Sequence, residues 1–241
     1  MDDHDRAELH EGMRIVGSAL SAAQIPFALA GGFAAWVHGA PESDHDADFV
    51  VREHDVEKAR AVLEETEGLR VEDPVENWLF KAYHGGALVD LIFRLGGAAV
   101  TEEMLERTDS FDVFGVPMPV LRATDVVAEK MRVLTEQRCN FSDLLPVVRA
   151  LREQVDWGEV ADRVAGNPYA EAFLFLLERL AVAPGGTVDP LRGPGGAGGS
   201  AAVPVRPDAG SADAGSAEDV PEEDVPVHRG GVSAAAATPS R

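Results

Sequence analysis

Three carboxylates stand where carboxylates can work together. Asp46 and Asp48 are two apart at the head of the run Asp46-Ala47-Asp48-Phe49-Val50-Val51, whose closing residues are apolar. In an extended run, period-two alternation puts both acidic side chains on one face and Ala47 and Phe49 on the other. Two carboxylates held side by side repel each other unless a cation joins them, and hard oxygen ligands at this spacing suit magnesium. The apolar stretch directly after Asp48 favours this pair over a register built on Asp44 and Asp46. Asp90 interrupts a second apolar run, Ala87 to Phe93, and an ionised Asp inside a buried strand is costly unless paired. A hairpin strand lying beside residues 46–51 would deliver Asp90 to the same metal site. Gly31-Gly32 falls between a short strand and a short helix, where bare backbone amides can hold a triphosphate.

The elements that must position these groups can be read from periodicity. Leu9, Met13, Val16 and Leu20 mark one face of an amphipathic helix over about 6–22. PFALA is a short strand after Pro26, GFAAWVHG a helix over about 32–39, and DADFVV a strand over about 46–51. A helix over 54–67 turns Val56, Ala59, Val62 and Leu63 inward. Strands follow at about 69–72, 77–83 and 87–95, the last two joined through His84-Gly85-Gly86 as a hairpin. Residues 111–121 form a further hairpin turning near Gly115. From there the chain is helical: a segment capped at Thr124, another at Ser142 or Asp143, then WGEVADRVAG and YAEAFLFLLERLAVA. The expected fold class is therefore α/β with a mixed sheet over 1–121, followed by a small helical domain over 122–183.

Residues 184–241 differ in kind. All fifteen aromatic residues precede this stretch, which holds 11 Gly, 8 Pro and 11 Ala in 58 residues. It cannot bury enough apolar surface to offset its ordering entropy and reads as a disordered tail. Net charge is −21, and the tail's 8 acidic and 4 basic residues leave the remainder near −17. Bulk electrostatics of that sign repel nucleic acid and attract cations. No apolar stretch is long enough to cross a membrane, and the acidic N-terminus is unlike a signal peptide. One cysteine, Cys139, excludes an internal disulfide and a cysteine-built zinc site. The expectation is a soluble, cytoplasmic protein with no membrane partner. Scarce lysine (Lys58, Lys81, Lys130) beside abundant Arg, Ala and Gly fits a GC-rich genome.

Gly31-Gly32, then 13 residues, then Asp46-Ala47-Asp48-Phe49 is a more specific pattern than either part. It resembles the signature of the DNA polymerase β-type nucleotidyltransferase superfamily: a hydrophobic residue before paired small residues, a spacer, then alternating Asp and hydrophobic residues. GGFAAWVHG further resembles the bacterial minor nucleotidyltransferases of the AbiEii toxin type, which carry a Lys in a following helix and then an Asp; Lys130 and Asp143 match these loosely. The resemblance covers about 25–160. It implies a nucleotidyltransferase fold and transfer of a nucleoside monophosphate from a nucleoside triphosphate to an acceptor hydroxyl. It further implies magnesium bridged by Asp46 and Asp48, and Asp90 as a further metal ligand and proton acceptor. Triphosphate contacts would come from Gly31, Gly32 and Lys130. One departure stands out: Glu42 and Asp44 occupy positions where the family has Arg and Ser/Thr. Five carboxylates (Glu42, Asp44, Asp46, Asp48, Asp90) are then expected to crowd one pocket, raising some of their pKa values.

The lead reading is a toxin-like nucleotidyltransferase acting on a tRNA or a protein, with a cognate antitoxin as partner. A small-molecule transferase acting on an aminoglycoside-like cation fits the negative charge. The loss of the usual Arg and Ser/Thr motivates a catalytically silent binding or antitoxin-like module. Outside the signature the expectations are structural. His38 and His45 lack a third soft ligand for zinc, Lys81 lies on a solvated face, and Arg132 and Arg138 pair with neighbouring Glu. Trp36, Trp78 and Trp157 belong to the core.

Overall fold

A computed structural model describes residues 3–43, 46–74 and 77–186, all belonging to one compact unit. Apart from Pro184, Gly185 and Gly186, the expected tail lies outside the described residues, as do Asp44 and His45. The chain opens with helix α1 (Asp3–Ala22), strand β1 (Phe27–Ala30), helix α2 (Gly31–Val37) and strand β2 (Asp46–Val51). A 3-10 turn then leads into α3 (Val56–Glu64), β3 (Arg70–Glu72), β4 (Leu79–His84) and β5 (Ala87–Ile92). A small ribbon, β6 (Arg94–Leu95) with β7 (Ala98–Ala99), and the short α4 (Glu102–Glu106) precede β8 (Asp109–Val113) and β9 (Val116–Val120). Four helices close the described chain: α5 (Ala123–Arg132), α6 (Phe141–Leu151), α7 (Trp157–Val164) and α8 (Pro168–Arg179).

Seven strands form one mixed sheet in the order β3-β4-β5-β2-β1-β9-β8. The β2–β5 and β1–β9 pairs are parallel and the rest antiparallel. Parallel neighbours cannot be joined by a tight turn. Here the chain between β2 and β5 carries α3, β3 and β4, so β2 receives β5 as the return strand of a hairpin. Alternation sorts the central strands cleanly. Ala47, Phe49, Phe80, Ala82, Val89 and Leu91 point one way and are fully buried. Helix α1 lies on that side, with Gly12 against Val89 and with Leu9, Met13, Val16 and Leu20 buried. The opposite side carries Asp46, Asp48, Asp90 and Lys81.

Most elements form where periodicity places them, and the differences have local causes. Thr124 does not cap α5, which starts after Arg122. The Thr124 side chain is buried, and its hydroxyl accepts a hydrogen bond from the Asp156 amide at the start of α7. Helix α6 starts after Asn140, ahead of both expected caps. Asp156 and Asn167 cap α7 and α8 through their side-chain oxygens. Helix α3 is shorter than the expected 54–67, the expected strand over 87–95 divides into β5 and β6, and α4 and β7 are further elements. Trp157 is buried, but Trp78 is 40% exposed, against the expectation of a core residue. Among the described residues, no helix is long and apolar enough to cross a membrane.

Candidate active site

The sheet register assembles the acidic centre. Asp48 lies directly opposite Asp90 across the parallel β2–β5 pair, and Asp46 sits two residues earlier on the same face. Asp46, Asp48 and Asp90 each present an oxygen so that all three lie within 4.8 Å of one another. Asp46 and Asp48 are half-buried and Asp90 is buried at 7% exposure. Burial, then the like charges of Asp46 and Asp90, push the Asp48 carboxyl up to about 7. Lys130 and a hydrogen bond from the Gly32 backbone pull the other way. Three hard oxygen donors whose like charges repel form a set that a divalent cation would relieve, so the triad can hold a metal ion.

The Gly31-Gly32 turn reaches this centre because β1 pairs antiparallel with β2, placing Ala30 opposite Asp48. Gly31 opens α2 with φ of +58°, in the left-handed region that favours glycine, and its backbone faces the Asp48 carboxylate. Gly32 lies against the Ser43 side chain, where a Cβ would come within 2.6 Å of Oγ. Lys130, half-buried in the last turn of α5, acts on Asp48 through its charge, and α5 packs on α2.

Lys81 overturns its expectation. It stands directly opposite Asp90 across the β4–β5 hairpin, and its Nζ donates to Asp90 Oδ1 at 3.3 Å. The signal was available in the sequence: a two-residue turn at Gly85-Gly86 pairs His84 with Ala87, and counting outward pairs Lys81 with Asp90. Glu42 departs from the crowding expectation. Its carboxylate turns to α1, where His10 Nε2 lies 2.5 Å from Oε1 and Arg6 Nε 3.8 Å from Oε2. His10 itself stacks on Phe114, and Trp36 stacks on the same ring, so the segment before β2 is tied to α1, α2 and the β8–β9 turn.

The remaining candidates serve structure. His38 Nε2 lies 2.8 Å from the Leu121 carbonyl oxygen, and the ring edge meets Phe111. Asp143 is exposed at the start of α6, bonded to Asn140 and Ser142. Arg132 pairs with Glu129, as expected, whereas Arg138 makes no ion pair with a neighbouring Glu among the described residues. The α5–α7 contact is a charge network: the fully buried Asp125 accepts from Arg122 and Arg163, Glu129 from Arg132 and Arg163, and Glu159 from Arg122.

No protein-family model matches the chain, and no curated protein matches it. Solved structures do. An antigenic nucleotidyltransferase-like protein from Paracoccidioides brasiliensis superposes with a TM-score of 0.50 at 13% identity, covering 72% of this chain and 88% of that one. The chain has the nucleotidyltransferase fold. ANT(2'')-Ia in complex with adenylyl-2''-tobramycin is similar with a TM-score of 0.47 at 15% identity, covering 68% of this chain and 95% of that one. The lincosamide adenylyltransferase LnuA, lincomycin-bound, has a TM-score of 0.40 at 12% identity, covering 57% and 94%.

Proposed function

We propose that this protein is a magnesium-dependent nucleotidyltransferase that moves a nucleoside monophosphate from a nucleoside triphosphate to an acceptor hydroxyl, releasing pyrophosphate. The observation that carries this reading is the convergence of Asp46, Asp48 and Asp90 within 4.8 Å, beside the glycine turn and Lys130, on the nucleotidyltransferase fold. Asp46 and Asp48 would hold magnesium between them, and Asp90 would add a ligand on the acceptor side. Bound magnesium supplies charge neutralisation for the phosphates and acidifies a hydroxyl beside it. The chain's own groups do the rest. Backbone amides at Gly31 and Gly32 orient triphosphate oxygens, Lys130 balances their charge, and Asp90 accepts the proton that the acceptor hydroxyl gives up. The new oxygen–phosphorus bond forms as the bond to pyrophosphate breaks.

The acceptor can be narrowed by charge. The toxin-like reading with a tRNA acceptor, and a cognate antitoxin, calls for a basic approach to Asp46. Instead Arg122, Arg132 and Arg163 are committed to Asp125, Glu129 and Glu159. The chain outside its tail also carries 34 acidic against 17 basic residues. These features favour a cationic small-molecule acceptor of the aminoglycoside kind. A protein acceptor of AbiEii-like type is the competing outcome.

Calorimetry with each triphosphate and magnesium, on the wild type and on the Asp46→Asn/Asp48→Asn double variant, tests the reading. Magnesium-dependent binding that the double variant loses supports it. A folded protein that binds no triphosphate overturns it and leaves the silent-module reading.

A further inference from the structure

The acidic centre has a lysine built into it, and the sheet places that lysine between two carboxylates. Reading across the open face, directly opposed residues run Glu72, Lys81, Asp90, Asp48 on strands β3, β4, β5 and β2. Directly opposed residues share a face with Cβ atoms about 5 Å apart, within easy reach of a lysine stem. The Lys81 ammonium is on Asp90, at 3.3 Å, with its side chain 24% exposed and that of Asp90 11%. Glu72, on its other flank, pairs with Arg70.

We infer that Lys81 is the resident counter-cation of Asp90 and sets the order in which the centre takes up metal. This inference rests on the proposed function and concerns the regulation of that same site. Among the described residues no lysine stands at hydrogen-bond distance from Asp46 or Asp48, and Lys130 acts on Asp48 through its charge. A first divalent cation therefore loads on the Asp46–Asp48 pair at no cost in displaced ion pairs. A second cation that uses Asp90 must first displace the Lys81 ammonium, a unit positive charge already in contact with the ligand oxygen. The second position is thus held at low affinity until something else supplies negative charge, and the polyphosphate of the nucleotide is the group of that chemistry which the proposed reaction brings. Glu72, one strand outward on the same face, gives the displaced ammonium a carboxylate to share with Arg70. Lys81 is in this sense a positioning residue that acts through Asp90 and makes completion of the centre conditional on substrate.

The test uses manganese(II) as probe, titrated into the full-length protein without nucleotide and followed by electron paramagnetic resonance. The wild type is expected to bind one equivalent tightly and a second weakly. Lys81→Met should tighten the second by about tenfold or more, as removing a nearby like charge from a partly buried site requires. Lys81→Arg, which keeps the charge, should restore weak second binding. Glu72→Gln, outside the metal-binding set, should weaken it about threefold. Lys81→Gln repeats the charge removal should the methionine variant misfold, and circular dichroism checks every variant. A folded Lys81→Met or Lys81→Gln protein that binds manganese like the wild type, or more weakly, overturns the inference while leaving the transfer reading intact. Absence of manganese binding in wild type and variants alike overturns the transfer reading and this inference with it.

Discussion

The Asp48 carboxylate occupies the space in which a side chain on Gly31 would begin: a Cβ built there lies 1.7 Å from Asp48 Oδ2 and 2.6 Å from its Cγ. Gly31 also has a positive φ, so a side chain is excluded both by its neighbour and by its own backbone. Gly31→Ala is expected to displace Asp48 and to cost about 2–4 kcal/mol of stability. Urea denaturation reads the stability loss, and calorimetry with magnesium and triphosphate reads the loss of the site. An unchanged affinity in Gly31→Ala would mean that Asp48 does not need its present position.

The raised pKa of Asp48 has a definite sign in stability. With an ordinary unfolded value near 3.8 and a folded value of about 7, the folded metal-free protein holds a proton that the unfolded chain releases between these limits. The stabilisation is complete below about pH 3.8 and is lost as the pH rises through about 7. Metal-free stability attributable to Asp48 should therefore fall by on the order of 4 kcal/mol across that window. Asp48→Asn should flatten that part of the curve and be the more stable protein at pH 8 with chelator present. Paired urea melts at pH 5 and pH 8 decide it, and an unaltered slope in the variant would refute the assignment.

How much of this was legible from sequence depends on the kind of contact. The strand over residues 46–51 is read correctly because its acidic residues alternate with apolar ones up to Phe49 and its buried face has no polar residue. Asp90 is legible as a polar interruption of an apolar strand. Lys81 departs from a solvated-face position because the turn at Gly85-Gly86 sets it opposite Asp90. Thr124 shows the opposite case: its local signal is that of a cap, but the hydroxyl is used by the distant Asp156 amide, which no local pattern records. Glu42 shows the same limit, since its partners His10 and Arg6 are on the first helix.

The tie between α1 and the segment leading into β2 should be measurable. His10→Ala removes both the bond to Glu42 and the stack on Phe114, whose ring centroid is 4.0 Å away. A loss of about 1–3 kcal/mol is expected, given one charge-assisted bond and one ring contact. The same variant should weaken triphosphate binding, because the segment it frees carries Ser43 against Gly32. Thermal denaturation and calorimetry measure the two effects separately. Wild-type values in both would show that the segment is held by other contacts.

Asp125 is the most deeply placed charge in the α5–α7 network, fully buried and bonded to Arg122 and Arg163. Asp125→Ala would take one carboxylate partner from each of two guanidinium groups, leaving Arg122 on Glu159 and Arg163 on Glu129 and Glu159, at a cost of about 1–3 kcal/mol. Because α5 also carries Lys130, this variant should lose nucleotide affinity along with stability, as chemical denaturation and calorimetry would show together. A variant as stable as the parent would mean that Glu129 and Glu159 alone satisfy the two arginines.

The parallel pairing of β2 with β5 also bears on when the centre comes into being. The β4–β5 hairpin is local and is expected to close on a timescale of about 1–10 μs. Asp48 meets Asp90 only after the intervening helix and two strands have folded back, a long loop closure that governs the speed of such topologies. A refolding chain is thus expected to acquire its helices and its hairpin well before its three carboxylates share a face. The last event to finish would be the one that creates the chemistry, and half-folded molecules would be inert by construction.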